Sequence, residues 1–299
     1  MARPEESILL ESFELKIRDI ASVELAPLHG LSVGVSWPHR PEDWRLLRET
    51  GRGVVALDEI DRVLGSAMWF PYSADFASVG MVITSPRLQA HGAARWLMER
   101  VLAEAGERSL GLNATRAARR LYLSMGFTAE ARVYQCQSVT GPPPLAPLSK
   151  GASLRDLEAG DLPALAELDG DAYGADRTML LKHLLASSKG VALVRGGRIA
   201  AFSLCRRFGR GHVVGPVVAL NDADAIAVTR PHFVDHVGQF LRLDTRQSDG
   251  VFFAFLAGLG LPVFDIVTTM SLGRRRTMRK RAADGMQPIT YALVSQALG

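Results

Sequence analysis

Residues 81–98 read MVITSPRLQAHGAARWLM, and two periodicities meet in them. An apolar run at 79–83 reads as a strand, a turn follows at Ser85-Pro86, and Gln89-Ala90-His91-Gly92-Ala93-Ala94 leads into a helix. Ala94, Leu97, Met98, Val101, Leu102 and Ala105 fall on one face of that helix. A strand feeding a helix through small residues points several backbone N–H groups at open space. The positive end of the helix dipole lies in the same place, and phosphate groups bind there without cationic side chains. From the loop alone two readings stay open: an anion-binding turn, or a small-residue helix start packed against a sheet.

The chain has 299 residues, enough for two domains. With 47% hydrophobic and 22% charged residues it has ample material for a core. No apolar run approaches the ~20 residues that cross a bilayer. The first residues, MARPEESILLESFEL, are acidic and lack a basic-then-apolar signal layout. A cytoplasmic location is expected, with no membrane partner. Cys136 and Cys205 lie far apart without metal-ligand spacing, so free thiols and no metal are expected. The net charge of +4 is modest. Much of its excess sits in Arg274-Arg275-Arg276 and Arg279-Lys280-Arg281. No nucleic-acid-binding pattern accompanies that cluster, so a solvated loop is the expected reading and nucleic acid is not a favoured partner.

In chain order, 13–18 reads as a strand and 20–35 as a helix ending near Gly34. Ser36-Trp37-Pro38-His39-Arg40-Pro41-Glu42-Asp43-Trp44 cannot be regular helix throughout, because its prolines bar it. A second helix is expected after Pro41. Residues 53–57 and 62–69 read as strands around the polar turn Asp58-Glu59-Ile60-Asp61, and 76–83 as the next strand. Beyond the amphipathic helix, 109–112 is a buried strand with Asn113-Ala114-Thr115 as its polar exit. Residues 117–125 are helical and Gly126 caps them.

The spacing Gln89-x-x-Gly92-x-Ala94 resembles the acyl-coenzyme A pyrophosphate loop of the GNAT family of N-acetyltransferases. The run Leu121-Tyr122-Leu123-Ser124-Met125-Gly126-Phe127 resembles the L-Y-x-x-x-G-F block of the same family, at the expected distance downstream. Trp37-Pro38-His39-Arg40, Ala67-Met68-Trp69 and Leu112-Asn113-Ala114-Thr115 add a closer likeness. It is to a bacterial group in which a GNAT domain precedes a YitH-type acetyltransferase-like domain. The fold class implied is α/β (α+β): tandem GNAT folds, each a mixed, mostly antiparallel sheet flanked by helices, the second copy degenerate.

The resemblance implies an acetyl-coenzyme A-dependent N-acetyltransferase acting on an amine of a small molecule or peptide. Tyr122 would then lie near the coenzyme sulfur as the acid for the leaving thiolate. Backbone groups of Met81, Val82 and Ile83 would hold the thioester carbonyl and the pantetheine arm. Arg87, Gln89, Ala90, His91, Gly92, Ala93 and Ala94 would surround the pyrophosphate, with Asn113 and Thr115 completing the coenzyme site. His91 and Ala94 stand where the family has a basic residue and a glycine, and Thr115 stands where it has an asparagine. Acceptor-pocket candidates are Trp37, His39, Glu42, Asp43, Trp69 and Asp75. The tryptophans also suit plain core anchors, and a water chain can replace any of the acidic groups or His39 as base. The alternative is a non-catalytic acyl-coenzyme A-binding sensor or partner-binding module. A homodimer stays open.

Thr140-Gly141-Pro142-Pro143-Pro144-Leu145-Ala146-Pro147 reads as a stiff linker. It gives an acetyltransferase domain at 1–139, a linker at 140–150 and a degenerate domain at 151–299. Strands at 152–155, 191–194, 199–206 and 212–218 and helices at 160–168 and after Arg177 repeat the first order. The chemical blocks do not repeat. Leu220-Asn221-Asp222-Ala223-Asp224 is acidic where the phosphate loop should be, and Leu256 stands where counting back from Gly260 should give a tyrosine. Asp176-Arg177 reads as a helix cap followed by a surface arginine, the alternative being a contact to the acceptor or between domains.

Overall fold

The computed structural model describes residues 7–10, 13–89, 91–274 and 287–299. The chain divides into two compact units, 1–112 and 113–299. Most of the basic cluster, and Ala90 of the loop, lie outside the described residues.

The first unit runs β1 (Ser7–Leu10), β2 (Phe13–Asp19), α1 (Leu25–Gly34), α2 (Pro41–Thr50), β3 (Arg52–Leu57), β4 (Val63–Pro71), β5 (Phe76–Thr84) and α3 (Ala93–Ala105), and then enters β6 (Ser109–Ala114). Strands follow in the spatial order β1-β2-β3-β4-β5-β6. All neighbours are antiparallel except β5 and β6. The helix expected over 20–35 is broken at its start. Residues 20–22 form a 3₁₀ turn capped by Asp19, and α1 begins at Leu25. The turn between β3 and β4 is built by Asp58, whose carboxylate accepts from the N–H groups of Ile60 and Arg62 and from the Arg62 side chain. Helix α3 buries Ala93, Trp96, Leu97, Met98, Val101 and Ala105. It lies close to the sheet at Gly65, where an added Cβ would come within 2.9 Å of Leu97.

The second unit continues with α4 (Arg119–Ser124), β7 (Thr128–Val139), β8 (Ala152–Asp156), α5 (Leu162–Tyr173), α6 (Thr178–Ser187), β9 (Lys189–Arg195), β10 (Arg198–Phe208) and β11 (Gly211–Ala219). It ends with α7 (Asp222–Asp235), β12 (Phe240–Thr245), α8 (Gly250–Gly258), β13 (Val263–Leu272) and β14 (Ile289–Ala292). The order β13-β7-β12-β11-β10-β9-β8 is antiparallel except between β11 and β12, and β14 pairs with β11. From β8 to β13 this succession of strands and helices repeats that from β2 to β7.

The chain passes from one unit to the other at Leu112/Asn113, ahead of β7, which pairs within the second unit. That strand lies between β12 and β13, with Cys136 opposite both Leu243 and Val263. The stretch after it is tied down in the same unit: Thr140 exchanges backbone bonds with Gln239 and Gly238, and the Pro144 carbonyl accepts from Arg230. Both cysteines are free and buried. Burial pushes the Cys136 thiol up to about 11 and the Cys205 thiol up to about 12. No helix among the described residues is long and apolar enough to cross a membrane.

Arg177 overturns the surface reading. Asp176 precedes α6, whose cap position is Arg177, and accepts from the Thr178 backbone and hydroxyl at 2.8 and 2.6 Å. Arg177 itself is buried, paired with the equally buried Asp169 through two bonds of 2.9 and 2.6 Å. The Tyr173 ring lies 3.7 Å from the guanidinium carbon. A desolvated guanidinium needs a carboxylate in bidentate geometry, and Asp169 sits in α5, where no local pattern flags it.

Candidate functional site

In the first unit β5 has two different halves. Its start is paired with β6 from Phe76↔Ser109 to Val79↔Leu112. Among the described residues that pairing goes no further, so 80–84 leave the ladder on that side. Against β4 the register slips between Ser66↔Ile83 and Met68↔Gly80, so Met81 and Val82 together face Ala67. That is a β-bulge, which takes a residue out of the ladder and re-aims its backbone groups. Met81 holds the left-handed φ of 52°, a conformation that costs a non-glycine residue about 1–3 kcal/mol. The surroundings fix it there: Met81 is 2% exposed, and the buried Ser66 hydroxyl donates to its carbonyl at 2.7 Å. Gly80 was the sequence signal for this bulge, since a lone glycine inside a strand pattern marks one.

The strand then turns through a 3₁₀ segment at Pro86–Leu88, anchored by buried Leu88, and reaches α3. Gly92 caps α3 with φ 88° and offers no side-chain bond to the first turn. A Cβ on Gly92 would meet nothing within 4 Å, so the glycine serves the backbone conformation and leaves the space above it clear. The first N–H groups of α3 are therefore presented without a capping side chain. Ala93 is buried and Ala94 half-buried, whereas Arg87, Gln89 and His91 are exposed around the turn. Gln89 reaches back to the Thr84 carbonyl at 3.5 Å. Arg95 leans toward Glu99 at 3.8 Å. Met81, Val82, Ile83, Gly92, Ala93 and Ala94 thus lie along one strand–turn–helix path.

The expected acceptor wall does not converge. The rings of Trp37, His39 and Trp44 follow one another at tilted angles, with centroids 5.9 and 6.3 Å apart. Trp44 is fully buried and donates to Ser32. Asp43 accepts from the Arg40 backbone and guanidinium at 2.8, 3.1 and 2.9 Å, which makes it the cap of α2. Glu42 is exposed beside it. Trp69 lies against α3 instead, donating toward Glu104 at 3.4 Å with Arg52 and Arg108 over its ring. Asp75 precedes β5, where it accepts from Ser73 at 2.6 Å. It is roughly 20 Å of extended chain from the bulge. A cavity of about 450 Å³ does open in this unit. It is lined by Leu31 and its neighbours on α1, by Arg62 and Val63, and by Ser85 and Pro86, and none of the six candidates lines it.

The second unit holds the remaining candidates. Asn113 donates its amide to the Gln296 carbonyl at 2.8 Å and accepts from Thr269 at 2.7 Å. Thr115 accepts from the Ala118 N–H at 3.3 Å, closing the turn before α4. Tyr122 is 5% exposed, with its ring edge-on to Phe127 at 5.8 Å. Among the described residues its phenol has no hydrogen-bond partner. Burial holds the phenol's pKa well above the ordinary tyrosine range, so the proton stays on at neutral pH. Gly126, at φ 88°, ends α4, and the Phe127 N–H returns to the Tyr122 carbonyl at 3.0 Å.

The same motif recurs after α8. Gly260 has φ 75°, and the Leu261 N–H returns to the Leu256 carbonyl at 3.1 Å. Leu256 occupies the position of Tyr122 in that motif and is 1% exposed. Helix α7 begins unlike α3: the Asn221 side chain caps it by accepting from the Asp224 N–H at 3.0 Å. Asp224 is buried against Arg195 at 2.8 Å. Among the described residues no group of three or more His, Cys, Asp or Glu side chains is placed to hold a metal ion.

Comparison with known proteins bears on both strand–turn–helix segments. Two family models, each described as an acetyltransferase (GNAT) domain, match residues 49–129 and 165–283. The chain carries two GNAT acetyltransferase domains in tandem. Among solved structures, the tandem GNAT chain is similar to a candidate acetyltransferase from Pyrococcus horikoshii. The TM-score is 0.77 and the identity 17%, over 99% of each chain. It is also similar to a tandem GNAT protein from the clavulanic acid biosynthesis pathway, with TM-score 0.63 and 15% identity over 87% of this chain and 99% of that one. A GCN5-related N-acetyltransferase from Sphaerobacter thermophilus matches with TM-score 0.58 and 16% identity over 86% and 95%. At these identities the likeness is one of fold. No curated protein is significantly similar to the chain. The GNAT assignment thus rests on the two family models, and the mostly antiparallel sheet flanked by helices agrees with it.

Proposed function

We propose that this tandem GNAT protein is an acetyl-coenzyme A-dependent N-acetyltransferase whose acceptor is an amine of a small molecule or peptide. The observation that carries this reading is the path in the first unit, where β5 leaves its partner at a bulge and leads to a helix start that no side chain caps. The coenzyme supplies an activated acyl group as a thioester. The backbone at Met81 and Val82 is suited to hold the carbonyl oxygen as it gains negative charge. The first turn of α3, with Gly92 keeping the approach clear, is suited to the diphosphate. In the transfer the amine nitrogen bonds to the acyl carbon, the carbon–sulfur bond breaks, and the nitrogen loses a proton to water or a base. Tyr122 has, by family resemblance, the role of donating a hydrogen bond or a proton to the departing sulfur, and burial keeps its phenol in the protonated, donating form. Asp43 is engaged as a cap, and the proton is taken by ordered water or by another of the candidate bases, His39, Glu42 or Asp75.

The second reading is a non-catalytic acyl-coenzyme A-binding module. It draws on Asn113, whose amide is already committed within its own unit, and on Thr115, which serves as a turn cap. Titration calorimetry with acetyl-coenzyme A followed by an amine panel separates the two. The enzyme reading expects binding that Gly92→Glu abolishes, and acetylation of at least one amine. Binding with no transfer to any amine favours the module, and no binding of any acyl-coenzyme A rejects both.

A further inference from the structure

The gap beside β5 in the first unit has its counterpart beside β11 in the second, and there the chain fills it. β11 and β12 run parallel but, among the described residues, pair only at His212↔Leu241 and Val213↔Arg242. Further on, β11 pairs with β14 instead, through Val217↔Ala292, Val218↔Thr290 and Ala219↔Ile289. On the other flank the Leu293 N–H donates to the Asp244 carbonyl at 2.8 Å, and the Thr245 hydroxyl donates to the Tyr291 carbonyl at 2.6 Å. The inserted segment is thus bonded to both parallel strands. Gly215 admits it, since a Cβ there would overlap the Leu293 carbonyl.

The insert also reaches the first turn of α7. The Tyr291 hydroxyl donates to Asp222 at 2.8 Å, and the other oxygen of that carboxylate accepts from the Phe252 N–H at 2.9 Å. Its far end is gripped at Gly299, whose carbonyl accepts from buried Arg177 at 2.8 Å and from the Val294 N–H at 3.0 Å. Tyr291, Ala292, Leu293, Val294 and Leu298 are all buried.

We infer that residues 289–299 are the resident ligand of the second domain. Their extended backbone stands where the amide-bearing arm of a coenzyme would lie between the parallel strands. Asp222, with Asn221 capping, supplies the negative charge at the helix start that a diphosphate would bring. The chain itself excludes coenzyme from this domain. The coenzyme's identity rests on the function proposed above; the occupation of the cleft does not.

Hydrogen–deuterium exchange on the full chain, with and without saturating coenzyme A, tests this. Amides of 289–294 are expected to exchange as slowly as those of β11 and to be unmoved by coenzyme A, while 80–95 slow by about tenfold or more. Faster exchange at 289–294 on adding coenzyme A, slower exchange at 215–224, or unprotected amides at 289–294 from the outset would each overturn the inference. Coenzyme A that protects no segment sinks the functional reading alone, because protection of 289–294 is still read. Gly215→Ala is expected to speed exchange at 289–294 by about tenfold while 54–70 stay unchanged. Should that variant lose protection throughout its domain, Tyr291→Phe, which removes one hydroxyl, is expected to speed it about threefold. Unchanged exchange at 289–294 in both variants contradicts the inference.

Discussion

Two strand–turn–helix segments of one fold have been put to opposite uses in this chain. At β5–α3 the strand parts from its parallel neighbour, a bulge turns the backbone at Met81, and glycine starts the helix with nothing above it. At β11–α7 the corresponding gap takes up β14, and the helix start is closed by Asn221, Asp222 and Asp224. The two leucine-or-tyrosine positions tell the same story, with a phenol at 122 and a methyl-bearing chain at 256. A fold keeps its shape when its cleft is lost only if something else satisfies the backbone groups that the cleft exposed. In the second unit β14 does so.

The largest effect is expected from loosening the filled cleft. Arg177→Ala strips the partner from buried Asp169 and releases Gly299, so chemical denaturation should show a loss of about 3–5 kcal/mol. A loss under about 1 kcal/mol would mean the clamp is not what closes this unit. The paired motif positions sharpen the contrast next. Leu256→Ala is expected to cost about 2–5 kcal/mol of stability and to leave turnover per folded molecule unchanged. Tyr122→Phe is expected to do the reverse, lowering kcat by about 100-fold or more with little change in stability or coenzyme affinity. Equal loss of affinity and turnover would deny Tyr122 the acid role.

How far these differences could be read from residues alone is instructive. The element order was legible because apolar spacing marks strands and helices locally, and the Gly-x-Ala and L-Y-x-x-x-G-F blocks marked the first domain. Alternation does not name a strand's partner, however. So β7 paired with β12 and β13 across the proline-rich stretch, and ITYALV at 289–294 gave no sign that it would enter the sheet. Burial of Arg177 is not legible for a related reason: Asp169 lies in the preceding helix with no local pattern to flag it, and the Gly299 carbonyl comes from a distant segment. Asp43 is engaged in a short-range cap and Trp69 lies against α3, contacts that residue type and proximity in sequence do not reveal.

Two smaller effects remain. Burial holds the His232 imidazole down at about 4, below the ordinary 6.5, with its ring nitrogen 2.8 Å from Ser203. The unfolded chain therefore takes up that proton first. Stability from this site is complete above about pH 6.5 and falls toward about pH 4, by up to about 1.4 kcal/mol per unit. A pH series of thermal unfolding should show this slope, and His232→Gln should flatten it. In the first unit Ser66→Ala removes the bond that pins the Met81 carbonyl, at a cost of about 1 kcal/mol. Turnover should fall with it if the bulge positions the reacting carbonyl. A variant with full activity would show that the bulge holds its shape without Ser66.

The contrast between open and filled clefts is tested most directly by calorimetric titration of acetyl-coenzyme A into the intact chain. A single site per chain, abolished by Gly92→Glu and retained in Asp222→Asn, is the expected result. Two sites per chain, or one that survives Gly92→Glu, would contradict the account.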